Sequence, residues 1–274
     1  MPASTDGLAQ RYPTALVTGA SSGIGRALAL ALAGRGLLVY GTSRHPDHPD
    51  LPRNIRWLRF DGATPKGMDD FVHHNGKLLT SIDLLINNAG SSFFGKGSAL
   101  PREAIMEQQN LLYGAPVRLT ETVLGPMRGR GRGAVVNVSS LAALFQLPYM
   151  AHYSAAKSAL SAYTRGLMLT ERSTGLVLID FQPGDYRTAF NANIRRHGET
   201  DREQERVWAR LEANLAKGPA PEQAAQDLIR ALELGKSRTL RSGGFFQRTL
   251  APLGRRLLPA DITSWAIRKY YHLP

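Results

Sequence analysis

Short apolar runs alternate along the chain with segments whose apolar residues recur at helical spacing. Residues 15–18 form the first run and end in a glycine turn. Residues 26–38 follow, with Ala27, Leu28, Leu30, Ala31 and Leu32 at helical spacing and Gly34 and Gly36 marking the end. Further strands are predicted at 37–42, 55–60, 82–86, 134–138 and 176–181, and long helices at 102–127 and 151–170. Nearly all-apolar strands alternating with helices indicate an α/β protein, a parallel sheet covered on both faces. Right-handed crossovers make such a sheet doubly wound, with ligands at the carboxyl ends of its strands. Beyond Phe181 a loop with Pro183 and Gly184 leads to a polar helix at 199–217, with Val207, Trp208, Leu211 and Leu215 on one side, and to another at 221–235. No repeat or low-complexity linker interrupts the chain, which reads as a single domain.

Composition adds limits. The chain has 274 residues, 43% hydrophobic and 20% charged, enough to bury a core without cross-links. It has no cysteine, so disulfides, thiolate metal sites and cysteine nucleophiles are excluded, and no metal site is expected. Lys and Arg exceed the acids by 12. Much of that excess lies in residues 236–274, which hold eight Lys/Arg against Asp261. The first fourteen residues lack the pattern of a secretory signal. No stretch nears the ~18 apolar residues of a spanning helix. A cytoplasmic protein is expected.

Thr18-Gly19-Ala20-Ser21-Ser22-Gly23-Ile24-Gly25 sits where the first strand gives way to the first helix. Free backbone N–H groups and the helix dipole there suit a pyrophosphate. Gly19 allows the tight turn, Gly23 lets the backbone of Ser21, Ser22 and Ile24 approach the phosphates, and Gly25 lets helix and strand pack closely. The spacing is GxxxGxG rather than GxGxxG. The second strand ends Gly41-Thr42-Ser43-Arg44, without the carboxylate that would accept a ribose 2′-hydroxyl. Ser43 and Arg44 offer a hydroxyl and a charged fork to a 2′-phosphate, so NADP(H) is the expected cofactor.

Tyr153 and Lys157 are four apart on a predicted helix and share one side of it. A free tyrosine, with a pKa of ~10, is a poor acid–base catalyst near neutrality. An ammonium one turn away and an oxidised nicotinamide would lower that value. Ser140 ends the fifth strand, where its hydroxyl meets the same substrate oxygen; Ser139 competes for this place.

These residues carry a resemblance. TGASSGIG at 18–25, Asp61, NNAG at 87–90, NVSS at 137–140, YSAAK at 153–157 and PGDYRT at 183–188 together resemble the short-chain dehydrogenase/reductases over about 14–188. The resemblance implies a Rossmann-like fold and the same roles for Ser140, Tyr153 and Lys157, with Lys157 and Tyr153 also contacting the cofactor. It implies that Asp61 binds the adenine, that Asn88, Ala89 and Gly90 run beside it, and that Pro183, Gly184 and Thr188 receive the nicotinamide carboxamide. Asn87 reads as a tie between strands. A fourth catalytic residue is implied at Asn110. The stretch from Asn110 to Thr120 is about two residues longer than the family's, so either a helix bulge absorbs the excess or Asn110 is displaced. The resemblance also implies a homodimer or homotetramer paired through the two long helices.

The expected activity is hydride transfer between NADP(H) and a small-molecule carbonyl or secondary alcohol, in the direction of reducing a fairly apolar ketone or aldehyde. A nucleotide-sugar epimerase or dehydratase and a non-enzymatic NADP-binding sensor are the alternatives. Phe93, Phe94, Leu141, Ala142, Leu147, Tyr149 and Tyr186 are pocket candidates. Residues 1–235 are assigned to the cofactor-binding and catalytic domain, with a substrate loop at 185–217. Residues 236–274 are a basic amphipathic extension packed on it. Within it, 245–274 set apolar and aromatic residues beside basic ones, which fits packing against protein or contact with a membrane surface. No nucleic-acid motif accompanies the charge, and no nucleic-acid partner is expected.

Overall fold

The computed structural model describes residues 6–45, 52–190 and 193–274. Its centre is a parallel sheet built from β1 (Thr14–Val17), β2 (Leu38–Ser43), β3 (Ile55–Arg59), β4 (Leu84–Asn87), β6 (Gly133–Val138), β7 (Leu176–Pro183) and β9 (Arg238–Ser242), ordered β3-β2-β1-β4-β6-β7-β9. The order reverses between β1 and β4, which opens a crevice at their carboxyl ends. A separate short pair joins β5 (Phe93–Phe94) to β8 (Arg195–Arg196).

The pleat sends alternate residues to opposite faces. Ala15, Val17, Leu84, Ile86, Ala134, Val136, Val177 and Ile179 pack against α2 (Gly23–Ala33) and α8 (Pro221–Leu234). Leu16, Leu85, Val135, Leu176 and Leu178 pack against α3 (Pro65–Ser81) and α5 (Ala115–Arg130). Both faces are covered, which is why the central strands lack polar alternation.

Several elements went unseen in the apolar pattern, a short N-terminal helix α1 (Asp6–Arg11) among them. Helix α3 is polar and buries only Met68, Phe71 and Leu79; Thr64 caps it by accepting from the Gly67 N–H, and Pro65 opens it. Strand β9 is an edge strand of which only Ser242 is buried. It lies inside the range assigned above to the extension, so part of that segment completes the sheet. The long helix expected at 102–127 is two helices, α4 (Arg102–Gln109) and α5, joined by a π-turn over Asn110–Gly114. The bulge is thus the way the chain absorbs the extra length. Helix α6 (Ala151–Thr170) keeps its expected limits, and α7 (Arg202–Lys217) begins at an Asp201–Gln204 capping box.

Candidate active site

The glycine turn is stitched to both neighbouring strands. Thr18 Oγ1 accepts from the Asn88 and Ala89 N–H groups at 2.9 and 3.0 Å. The Asn88 side-chain amide donates to the Thr18 and Gly19 carbonyls, and the Gly19 N–H donates to Thr42 Oγ1. A Cβ on Gly19 would stand 2.8 Å from the Ala89 Cα, and one on Gly25 only 2.2 Å from the Gly19 carbonyl oxygen. Ser22 occupies the N-cap of α2 without a side-chain cap hydrogen bond, so its hydroxyl leaves the first-turn N–H groups of Gly23, Ile24 and Gly25 to an anion. Ser21 lies half-buried in the same turn. This cradle fits a dinucleotide pyrophosphate. Thr188 packs on Gly23, bringing the 183–188 loop to the same place.

Around it lie the other cofactor candidates. Ser43 ends β2 and accepts from the His45 N–H, and Arg44 beside it is exposed. Asp61 Oδ1 accepts from the Ala63 N–H at 3.1 Å, which shapes the turn after β3. The Asn88 side chain serves the turn, and Gly90, two residues on, is exposed. Asn87 ties β4 to its neighbours, donating to Asn137 Oδ1 at 2.8 Å and to Thr120 Oγ1.

At the carboxyl end of β6, Ser140 caps a 3-10 turn, accepting from the Ala142 N–H at 3.0 Å, and its hydroxyl is a hydrogen-bonding neighbour of the Tyr153 phenol. Ser139 turns the other way, donating to the Asp180 carboxylate and to the Phe181 carbonyl. Of the two serines, Ser140 is the neighbour of the Tyr153 phenol. Tyr153 is 8% exposed and Lys157 5%, and the Lys157 ammonium lies 5.9 Å from the Tyr153 ring centroid. The ammonium donates to the Val138 carbonyl at 2.7 Å.

Burial sets the ionisation here. Tyr153 is pushed up to about 12 by desolvation, against the Ser140 hydrogen bond and with the Asp185 carboxylate adding to the rise. Lys157 is itself lowered to about 8 by desolvation, with Asp180 pulling it partly back. The protein alone therefore holds the phenol protonated.

Asn110 is not joined to this group. Its amide donates to the Ala63 carbonyl at 3.1 Å, on the side of Asp61, while Lys157 spends its bond on Val138. Sequence reasoning also missed Asp180, a fully buried carboxylate on β7 that accepts from Ser139 Oγ, Ser161 Oγ and Gln182 Nε2. A lone aspartate within an apolar run gives no sign of such a network.

The pocket candidates divide between two places. Phe94, Ala142, Leu147 and Tyr149 pack in the cluster that contains Tyr153. Tyr149 adopts φ 60, held by its hydroxyl on Glu203 and its carbonyl on the Gly95 N–H. Leu141 lies against Gly184, and Phe93 stacks with Arg195. Tyr186 does not line a pocket: it is buried against the α2–α8 side of the sheet, with its hydroxyl on Ser242. Two parts of the cover gave no sequence signal. The Phe190 ring centroid is 5.9 Å from that of Tyr153, and Tyr271, from the C-terminus, closes the same cluster. Gln247 sits over Gly184, accepts from the Asp185 N–H at 3.1 Å and donates to the Asp185 carboxylate.

Comparison with known proteins agrees with this arrangement. A family profile described as short chain dehydrogenase matches residues 13–199. A 3-ketodihydrosphingosine reductase from Bacteroides thetaiotaomicron is 33% identical over 182 residues, which span 65% of this chain and 65% of that relative's length. Dehydrogenase/reductase SDR family member 4 from Bos taurus is 33% identical over 203 residues, 68% of this chain and 71% of its own. A solved short-chain dehydrogenase from Streptomyces avermitilis superposes with a TM-score of 0.78 at 27% identity, covering 97% of each chain. With the glycine cradle, the buried tyrosine–lysine pair and these matches in one molecule, the chain belongs to the short-chain dehydrogenase/reductase family of oxidoreductases.

Proposed function

We propose that the chain is an NADP(H)-dependent reductase of a fairly apolar ketone or aldehyde. The observation that carries this reading is the meeting of Ser140, Tyr153 and Lys157 at the strand ends, beside an N-terminal helix turn that no side chain caps. Bound NADPH would supply the hydride. Tyr153 gives its phenolic proton to the carbonyl oxygen as that oxygen gains charge. The Ser140 hydroxyl donates to the same oxygen, a bond that strengthens as charge develops. The buried Lys157 ammonium, near the Tyr153 ring, stabilises the phenolate left behind.

Arg44, exposed at the end of β2 with no acid in the turn, supports a cofactor carrying a 2′-phosphate. Phe94, Ala142, Met150 and Phe190 around Tyr153 support an apolar substrate, and the relative named as a reductase of 3-ketodihydrosphingosine supports a ketone. The test is NADPH consumption across ketones and aldehydes graded by size and polarity. Turnover that rises with apolar bulk is expected. Tight NADPH binding with no consumption on any carbonyl would favour a cofactor-binding sensor and overturn the proposal.

A further inference from the structure

Nine of the thirteen exposed large hydrophobic side chains among the described residues fall between Phe245 and Tyr270. Here a π-turn at Phe246–Leu250 runs into α9 (Ala251–Leu257), and α10 (Ala260–Tyr270) returns. The return end is anchored: Tyr271 is buried in the Tyr153 cluster, and the Tyr270 hydroxyl donates to Asn214 at 2.8 Å. The other end is tied through Gln247 and Asp185. The outer side has no such support. None of the seven residues of α9 is buried, and Leu257, Phe245 and Trp265 are 71, 63 and 61% exposed. A helix this short is not stable in water on its own propensity, so the fold leaves these side chains to be covered by something else.

The charge of the same segment selects the cover. Residues 245–274 carry Arg248, Arg255, Arg256, Arg268 and Lys269 against one acid, Asp261. Arg255 and Arg256 stand between Leu253 and Leu257, and Lys269 lies 5.2 Å from the Trp265 ring. A second copy of the chain, paired through this segment about a two-fold axis, would bring two basic segments together. An anionic bilayer surface accepts both kinds of group, the arginines at its phosphates and the leucines and phenylalanines at the acyl boundary. No described helix is long and apolar enough to cross a membrane, so contact would be with the surface alone.

We infer that the outer side of the C-terminal helical hairpin, centred on Phe245, Phe246, Leu253, Leu257 and Trp265, docks on a bilayer surface carrying anionic lipid. The test is sedimentation of the full chain with vesicles of phosphatidylcholine alone, or of phosphatidylcholine mixed with phosphatidylglycerol. Binding to the mixed vesicles that weakens with salt is expected. The Arg255→Gln/Arg256→Gln variant should bind them about 30-fold less, each basic side chain near such a surface contributing roughly a factor of five. Phe245→Ser/Phe246→Ser should lose about tenfold or more while unfolding at the same temperature, because both rings are already exposed in the fold. Equal binding to both vesicle types, or none to either, overturns the inference. So does self-association that Leu253→Ser/Leu257→Ser abolishes in a chain that ignores vesicles, since a second copy would then be the cover. The readout needs no turnover and stands apart from the proposed reduction.

Discussion

Lys157→Met should make the cofactor-free protein more stable near neutral pH and less stable in strong base. Burial lowers the ammonium from its ordinary 10.5 to about 8, so between those values the folded chain holds fewer protons than the unfolded one. The unfolded state binding more protons means that wild-type stability rises with pH across that window. At ~1.4 kcal/mol per tenfold change in proton affinity, the charged side chain costs the folded state about 3 kcal/mol below pH 8. Methionine removes this cost and keeps most of the apolar stem. It also removes the 2.7 Å bond to the Val138 carbonyl, worth about 1 kcal/mol. The variant should therefore be about 2 kcal/mol more stable than wild type near neutrality and about 1 kcal/mol less stable above ~10.5, where the lysine is neutral in both states. Urea unfolding of both proteins across this range gives the difference, and the titration of Tyr153, common to both, largely cancels. A difference that stays constant with pH, or a variant already weaker near neutrality, would show that Lys157 is not desolvated as described.

Other perturbations act on separate parts of the site. Gly25→Ala should abolish NADPH binding and lower the melting temperature, because the new methyl meets the Gly19 carbonyl and the Asn88 amide; calorimetric titration and a thermal melt check both. Arg44→Ala should weaken NADPH by about 10- to 100-fold, the range of a charge-assisted hydrogen bond, and leave NADH unchanged; equal loss of both would contradict the 2′-phosphate assignment. Asn110→Ala should lower kcat by less than about tenfold, because its amide serves the Ala63 carbonyl rather than Lys157. A loss as large as that from removing Ser140 would return Asn110 to the proton path.

The central strands were legible because both faces of the sheet are covered, leaving β4, β6 and β7 buried along their whole length. Helix α6 was equally plain, since its buried positions recur at helical spacing. Edge and surface elements carry no such signal: β9 buries one residue and α3 three. The chemical residues could be read from order and spacing, but their electrostatics could not. What raises the Tyr153 phenol is burial in a cluster that also takes in Phe190 and Tyr271, from segments remote in the chain, and what steadies Lys157 is a single aspartate hidden in an apolar strand. The extra length near Asn110 was visible as a count of residues, and only the backbone showed where it goes, into a π-turn.

The proposed reduction turns on Tyr153 as the proton donor. Its direct test is NADPH oxidation by Tyr153→Phe with the best carbonyl substrate, alongside a titration of NADPH binding. Loss of the hydroxyl should cut turnover by at least about 10²- to 10⁴-fold while NADPH binds as in wild type; turnover equal to wild type would contradict it.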